Sequence, residues 1–458
     1  MSSAHDPFPM TQPPDRVPAR TVLRLAAPAL PVLAAEPLYL LVDTAVVGRL
    51  GAVPLAGLAV AGVVFAQVTS QLNFLSYGTT ARAARLHGAG RRGAAVAEGV
   101  QATWLALAVG LLVLVVGQLV ARPVAAALGN GGAIADAAVS WLRIALCGAP
   151  LVLVTLAGNG WMRGVQDTAR PLRFVLAGNG LSALACILLV HGVGGWAGLG
   201  LVGSAVANVV GQTVGASLFL GALVRAARAD GVALRPAPSV LRSQLGLGRD
   251  LMARSLAFQA CFLSAAAVAT RFGAATAAAH QIVLQLWFFQ ALVLDAVAIA
   301  AQSLVGAALG SPERGAERAR ALAGQVTRYG IVLGLGFGAL FAALSGVLPP
   351  VFTPDPEVLA AVPVPWWFFV AMQPVAGVVF ALDGVLLGAG DAAYLRTSTL
   401  AAAVVGFLPL IWASLAWGWG LTGIWAGLTA FMLIRLVAVG RRARSDRWAV
   451  TGAVRPGA

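Results

Sequence analysis

Apolar runs of roughly 20 residues recur along this chain, beginning near Val22, Leu55, Ala95, Ala133, Leu172, Leu201, Leu251, Ala279, Ala321, Val358, Thr397 and Leu421. An α-helix needs about that length to cross the hydrocarbon core of a bilayer. The pattern therefore predicts about twelve spanning helices and an all-α membrane protein. Prolines interrupt two of the runs, Pro28, Pro31 and Pro37 in the first and Pro363, Pro365 and Pro374 in the tenth. Each removes a backbone donor and favours a kink. The 54 glycines allow close helix contacts in a bilayer. Bent, glycine-rich bundles of this kind are more typical of transporters than of simple anchors.

The pattern also repeats. "GRLGAVPLAGLAV" from Gly48 aligns without gaps on "TRFGAATAAAHQI" from Thr270, with Arg49, Gly51 and Ala52 matched 222 positions later by Arg271, Gly273 and Ala274. The same offset carries Gly88 onto Gly310, and "NGWMRGVQDTA" from Asn159 aligns on "DGVLLGAGDAA" from Asp383 at an offset of 224. Six spans per half return the chain to its starting side, so the halves are parallel repeats about an axis along the membrane normal, with a central cavity between them. The repeat disposes of a decoy as well. "GLGLVG" at Gly198 to Gly203 fits a dinucleotide fingerprint, but no strand precedes it, no acidic residue follows at the needed spacing, and "GWGLTG" at Gly418 to Gly423 repeats it. A glycine-rich re-entry into the sixth and twelfth helices is the better reading.

Composition agrees with a membrane protein: 59% of the residues are hydrophobic and only 10% charged, against about 25% charged in soluble domains, and the mean hydropathy is +0.85. A net charge of +14 would suggest nucleic acid in a soluble protein; here its location excludes that partner. The basic residues are all Arg, concentrated in alternate loops: Arg82 to Arg92, Arg163 to Arg173, Arg225 to Arg254, Arg314 to Arg328 with Arg396, and a tail from Arg435 to Arg455. The opposite side keeps Arg49, Arg122, Arg143 and Arg271. This asymmetry puts both termini in the cytoplasm, as expected for an inner (plasma) membrane protein, with lipid headgroups as a lesser role for the arginines. The proline-rich N-terminus does not read as a cleaved signal. The expected organisation is a disordered cytoplasmic tail over 1–20, a first six-helix lobe over 21–225, a cytoplasmic loop over 226–247, a second lobe over 248–440 and a basic tail over 441–458. Cys147, Cys186 and Cys261 lie far apart in apolar runs, fit neither a disulfide framework nor a zinc site, and read as inert buried thiols. No metal or cofactor is implied.

Most acidic residues lie in loops or at span ends; Glu36, Asp43, Asp295 and Asp383 do not. A charged carboxylate at the bilayer centre costs about 2.5–3.5 kcal/mol on insertion scales, so each needs water, a proton or a partner. Glu36 and Asp43 are two turns apart and share a helix face with Tyr39. They are candidates for a proton or sodium site, the alternative being carboxylates held by neighbouring hydroxyls and backbone. Asp295 shares a face with Gln302, and Asp383 stands beside Gly384, where capping competes with function. Trp287, Phe288 and Phe289 are candidates for an apolar substrate wall, with Gln67, Tyr39, Gln302 and Asp383 as polar cavity residues. His280 reads as structural.

These motifs together resemble the multidrug and toxic compound extrusion (MATE) family, in the branch containing the DNA-damage-inducible F proteins. "LVDTAVVGRLG", "GTTARAARLHGAGRR", "GVQDTARP" and "GLGLVGSAVA" resemble its first lobe, and "AAAHQI", "LDAVAIAAQSLVGAALG" and "LDGVLLGAGDAAYLR" its second. The resemblance implies a V-shaped central cavity, a monomer, and export of amphipathic, often cationic organic compounds in exchange for protons or sodium. It also implies that Asp43 is the first-helix acidic residue to which protonation is attributed, and that Asn179 belongs to the same site. One departure matters: the aspartate expected about seven positions after that asparagine is Cys186, with Ser182 between. Either Glu36 supplies the second carboxylate or coupling has moved to Asp295. Gln302 stands where relatives can carry glutamate. Fewer fixed charges favour protons over sodium. Two other readings compete. A lipid-linked precursor flippase would carry a basic cavity, whereas arginine is nearly absent from the predicted spans. A membrane-embedded lipid transferase would need an acidic metal-binding cluster, and no such run exists.

Overall fold

The apolar runs fold as long helices. The computed structural model describes residues 18–129 and 131–454. In the first half, α1 covers Ala19–Gly48, α2 Ala52–Gly88, α3 Arg92–Leu128, α5 Ala169–His191 and α6 Leu201–Ala229. Between α3 and α5, α4 is a bent pair, Gly132–Cys147 and Ala149–Gly164, meeting at 46°. In the second half, α7 covers Pro238–Arg271, α8 Ala274–Gly310, α9 Gly315–Ala343, α10 Pro363–Gly388, α11 Ala392–Trp417 and α12 Gly420–Arg444. Two short helices, Leu348–Phe352 and Pro356–Ala361, connect α9 to α10. Among the described residues eleven helices are long and apolar enough to cross a bilayer, and the bent α4 makes a twelfth. No strand occurs among the described residues. The expected tail over 1–20 falls almost wholly on residues 1–17, outside the described residues, as does Arg455 at the other end.

Helicity begins again at Pro238, inside the stretch read as an inter-lobe loop. Proline at a first helical turn sacrifices no hydrogen bond, and the short connection before it is pinned to α3. Gln101 Nε2 donates to Arg235 O at 2.9 Å, Ala237 N donates to Gln101 Oε1 at 2.7 Å, and Trp104 Nε1 donates to Leu234 O at 2.8 Å.

The duplication is visible as repeated glycine contacts. A Cβ on Gly160 would lie 2.4 Å from Ser76 O in α2, and one on Gly384 would lie 2.3 Å from Ala298 O in α8, 222 positions after Ser76. Gly203 and Gly423 likewise admit the preceding helix at 2.4 Å. The turns into α6 and α12 use matched left-handed glycines, Gly198 and Gly200 at φ 75° and 57°, Gly418 and Gly420 at 68° and 56°. A side chain there would strain the backbone. The glycine-rich "fingerprints" are therefore helix entries.

The two lobes meet at the arginine-rich ends of their helices. There α2 and α8 cross so closely that a Cβ on Gly88 would be 1.8 Å from Ala307 O, and one on Gly310 would be 1.9 Å from Arg85 O. Each contact is the other's image under the repeat. Gln302 Nε2 donates to Tyr77 O and Ser303 Oγ to Arg163 O, both across the lobes at 2.7 Å. Arg85, buried at the end of α2, donates to Ala389 O at 2.8 Å and to Val450 O and Gly452 O of the C-terminal tail at 2.9 and 3.1 Å. At the opposite end the first lobe keeps its own core, with Val47, Leu58, Phe65, Trp141, Cys186 and Leu201 packed together. The helices thus diverge from a closed arginine-rich end into a V.

Candidate functional site

Of the two acidic residues in α1, Asp43 is the one removed from solvent altogether, at 0% exposure. Helical spacing aligns it with Tyr39 and Val47, also buried, and α1 packs on α5 and α6. Asp43 Oδ1 accepts from Ser204 Oγ at 2.6 Å and from Cys186 Sγ at 3.2 Å. Trp141 Nε1 donates to the same Ser204 Oγ at 2.9 Å. An indole N–H can only donate, so Ser204 accepts from Trp141 and directs its own proton to Asp43. Hydrogen bonds to a charged group contribute about 1.5–3 kcal/mol each. Asp43 Oδ2, by contrast, is buried without a partner, as are Tyr39 Oη and Asn208 Oδ1. The carboxylate thus has one saturated oxygen and one bare one, where a single proton can be held.

Glu36 and Asn179 lie deeper. Two helices begun on the same side and an even number of spans apart run in parallel, so the Asp43 to Cys186 contact sets their register. Seven residues back along each, Glu36 of α1 and Asn179 of α5 fall at one depth, two turns toward the arginine-rich end. Glu36 is exposed on the surface of the lobe and Asn179 half-buried, whereas Asp43 is fully buried.

The second lobe holds a cavity of about 290 Å³. Asp295 from α8, Asp383 from α10, Arg254 from α7 and Arg435 from α12 line it together. Asp383 Oδ2 accepts from Arg254 Nη2 at 2.6 Å and also from Arg435 Nη2. Both guanidinium groups lie over the Phe258 ring, 5.3 and 4.7 Å from its centroid. Trp287, Phe288 and Trp425 add aromatic wall, and Ser70, Asn73 and Tyr77 of α2 contribute from the first lobe. Asp295 is half-buried and feels the charges of Arg254, Asp383 and Arg163.

Compared with known families, the chain matches the one described as MatE twice, over residues 28–188 and 251–412. The chain belongs to the MatE family of multidrug and toxic compound extrusion transporters. The second match begins 223 positions after the first, within the offsets at which motifs and glycine contacts repeat. Protein DETOXIFICATION 44, chloroplastic, of Arabidopsis thaliana is 32% identical over 91% of this chain and 80% of its own length. DNA damage-inducible protein F of Escherichia coli (strain K12) is 30% identical over 90% of each. A crystal structure of MATE in the bent conformation shares the fold with a TM-score of 0.85 at 21% identity, covering 94% of this chain and 97% of that one. The protein is accordingly a multi-pass membrane transporter of the efflux type.

Within this MATE fold the sequence-derived candidates separate into two sites. Asp43, Tyr39, Glu36 and Asn179 belong to the first lobe. Asp295, Trp287, Gln302 and Asp383 line the second-lobe cavity. Gln67 is half-buried one turn above Ser70 and does not border that cavity. Phe289 leaves the expected aromatic wall: it is 63% exposed, on the other side of α8 from Trp287. His280 is buried against Trp425, ring centroids 5.8 Å apart.

Three expectations are corrected. Cys147 is exposed at the bend of α4, whereas Cys186 and Cys261 are buried as expected, and Cys186 donates a hydrogen bond to Asp43. Arg163, Arg254 and Arg435, assigned to loops and tail, sit inside α4, α7 and α12, and Arg435 is 1% exposed. The interior is therefore not arginine-free: Arg254 and Arg435 share Asp383, and Arg163 acts on Asp295. Glu98, Asp250 and Asp391 are buried too, paired with Arg82, Arg396 and Arg442. Ser204, which donates to Asp43, and Trp141, which donates to Ser204, were missed. Arg435 carried a signal, an arginine amid the apolar "FMLIRLVAV"; Ser204 and Trp141 carried none, since hydroxyls and indoles are common in spans.

Proposed function

We propose that this MATE transporter exports amphipathic organic compounds in exchange for protons, with Asp43 as the coupling group. The reading further takes it as a monomer in the inner (plasma) membrane, arginine-rich end and both termini in the cytoplasm, and membrane lipids around it. In that orientation the structure corresponds to an outward-facing state. The observation that carries the proposal is the asymmetry of the Asp43 carboxylate. Oδ1 is satisfied by Ser204 and Cys186, while Oδ2 is buried and bare. A proton added at Oδ2 removes a buried charge and creates a donor, and Asn208, one turn from Ser204 along α6, holds an unpartnered acceptor, Oδ1. Gain and loss of that donor changes what α1 can bond, and prolines inside α1 allow it to respond by bending. Alternation of the two lobes then converts proton entry at Asp43 into release of the compound. Sodium is the less favoured ion, because the position opposite Asp43 offers a thiol where a hard cation prefers oxygen.

Proton-driven efflux of ethidium from everted vesicles, comparing the parent with Asp43→Asn and Glu36→Gln, tests this. Abolished efflux in Asp43→Asn with normal membrane insertion is expected. Glu36→Gln decides whether that residue replaces the missing fifth-helix carboxylate. Pumping by both variants refutes the assignment and turns attention to Asp295.

A further inference from the structure

The second-lobe cavity holds a cluster of unmet hydrogen-bonding groups that coupling at Asp43 does not use. Asp383 offers a single oxygen, Oδ2, to two guanidinium groups. Asp383 Oδ1, Arg254 Nε and Arg435 Nε are buried with no partner. An arginine facing a carboxylate ordinarily pairs through two parallel N–H···O bonds. Here two cations hang on one atom, and with Arg163 acting on the neighbouring Asp295, three arginines face two aspartates, one positive charge in excess. Asp295, the other acid lining the cavity, acts on Arg254 and Arg163 from beyond direct ion-pair contact. Uncompensated buried charge and orphaned donors are each costly. A negatively charged group with two or more oxygens, arriving through the cavity, meets both needs. Arg254 is accessible to it, with 15% of its side chain exposed.

The rest of the cavity is built for an apolar body. Phe258 lies beneath both guanidinium groups, and Trp287, Phe288, Phe262 and Trp425 surround the space beside it. We propose that this cavity is a receptor for amphiphiles with one anionic head, a carboxylate, sulfonate or phosphate, joined to a flat apolar body. Arg254 and Arg435 take the head; the aromatic wall takes the body. Asp383 is the internal stand-in that the head group competes with. This rests on the efflux reading above and narrows its substrate class, reversing the cationic preference that the family resemblance implies. The head can belong to a soluble amphiphile or to an anionic lipid, since both present the same oxygens.

The test is calorimetric titration of naphthalene-2-sulfonate into the full-length protein in maltoside micelles, with ethidium as the cationic comparison. Arg254→Gln is expected to weaken naphthalene-2-sulfonate binding at least tenfold, and Asp383→Asn to strengthen it several-fold by removing the competitor. A purely structural ion cluster predicts losses in both variants, so movement in the same direction overturns the proposal. So does sulfonate binding that Arg254→Gln leaves unchanged. Phosphatidylglycerol titrated as a competitor separates the sources: displacement of the sulfonate by lipid, with no sulfonate flux in vesicles, assigns the head group to lipid. Sulfonate flux without displacement assigns it to a soluble compound. Proton-driven ethidium efflux is measured in parallel. If ethidium is pumped and the sulfonate never binds, this inference falls and the antiporter reading stands; if the sulfonate binds and neither dye is moved, the antiporter reading falls.

Discussion

The contact between α2 and α8 offers a direct test of whether the arginine-rich end is a gate. Gly88→Ala would place a Cβ 1.8 Å from Ala307 O, and Gly310→Ala one 1.9 Å from Arg85 O. Ordinary contact needs about 3.4 Å, so the helices must separate by roughly 1.5 Å. The facing atoms are backbone and cannot turn aside. That separation breaks the neighbouring bonds from Gln302 to Tyr77 O, Ser303 to Arg163 O and Arg85 to Ala389 O, now 2.7, 2.7 and 2.8 Å long. At about 0.5–1.5 kcal/mol for each of the two neutral bonds and about 1.5–3 kcal/mol for that of the Arg85 guanidinium, the closed end loses roughly 2.5–6 kcal/mol. This corresponds to a shift between lobe arrangements of roughly fifty- to ten-thousandfold, at about 1.4 kcal/mol per factor of ten. Because the contact lies between lobes, each lobe should stay folded. Hydrogen–deuterium exchange of the protein in nanodiscs should show at least tenfold faster exchange around residues 82–91 and 305–311, with α5 and α6 unchanged. The double variant should add little to either single, since both open one contact. Gly99→Ala, whose Cβ would meet Trp161 within the first lobe at 2.7 Å, should speed exchange only locally. Unchanged exchange at both segments in a folded Gly88→Ala protein would refute the gate.

Other consequences follow from single groups. Ser204→Ala removes the strongest donor to Asp43 and orphans the Trp141 indole, so ethidium efflux should fall by about tenfold, a charged hydrogen bond's contribution, while Ser204→Thr retains it. At the facing position, Cys186→Ser should pump like the parent and Cys186→Val should pump less, because only serine keeps a donor to Asp43. Arg85→Ala frees the C-terminal tail from its carbonyl clamp; limited proteolysis should then cut between Ser445 and Gly452 at rates where the parent resists. Gly200→Ala and Gly420→Ala force a side chain into the left-handed region, at φ 57° and 56°. Each should cost about 1–2 kcal/mol, read as similar losses of melting temperature in both repeats; a loss in only one would contradict their equivalence.

How much of this was legible in the chain depends on the range of the interactions concerned. Span number and the duplication are local properties: the length of an apolar run suffices for the first, and glycine spacing records helix crossings for the second. Gly88 and Gly310 could be paired by sequence offset before their contact was known, because a repeat copies its close approaches. The Asp43 to Glu36 alignment was equally legible, being one helix's own periodicity. The partners of Asp43 were not. Ser204 and Cys186 reach it only through the rotation and relative depth of α1, α5 and α6, and no run of residues encodes a neighbour's depth. Arg254 and Arg435 were misplaced for the same reason. By composition a charge belongs at a helix end, but an aspartate on a third helix, Asp383, brings both inside. Hydrophobicity is additive along the chain, so the sequence by itself determines that these helices span and repeat. Charge compensation is pairwise in space, so only the tertiary structure decides which polar groups become a site.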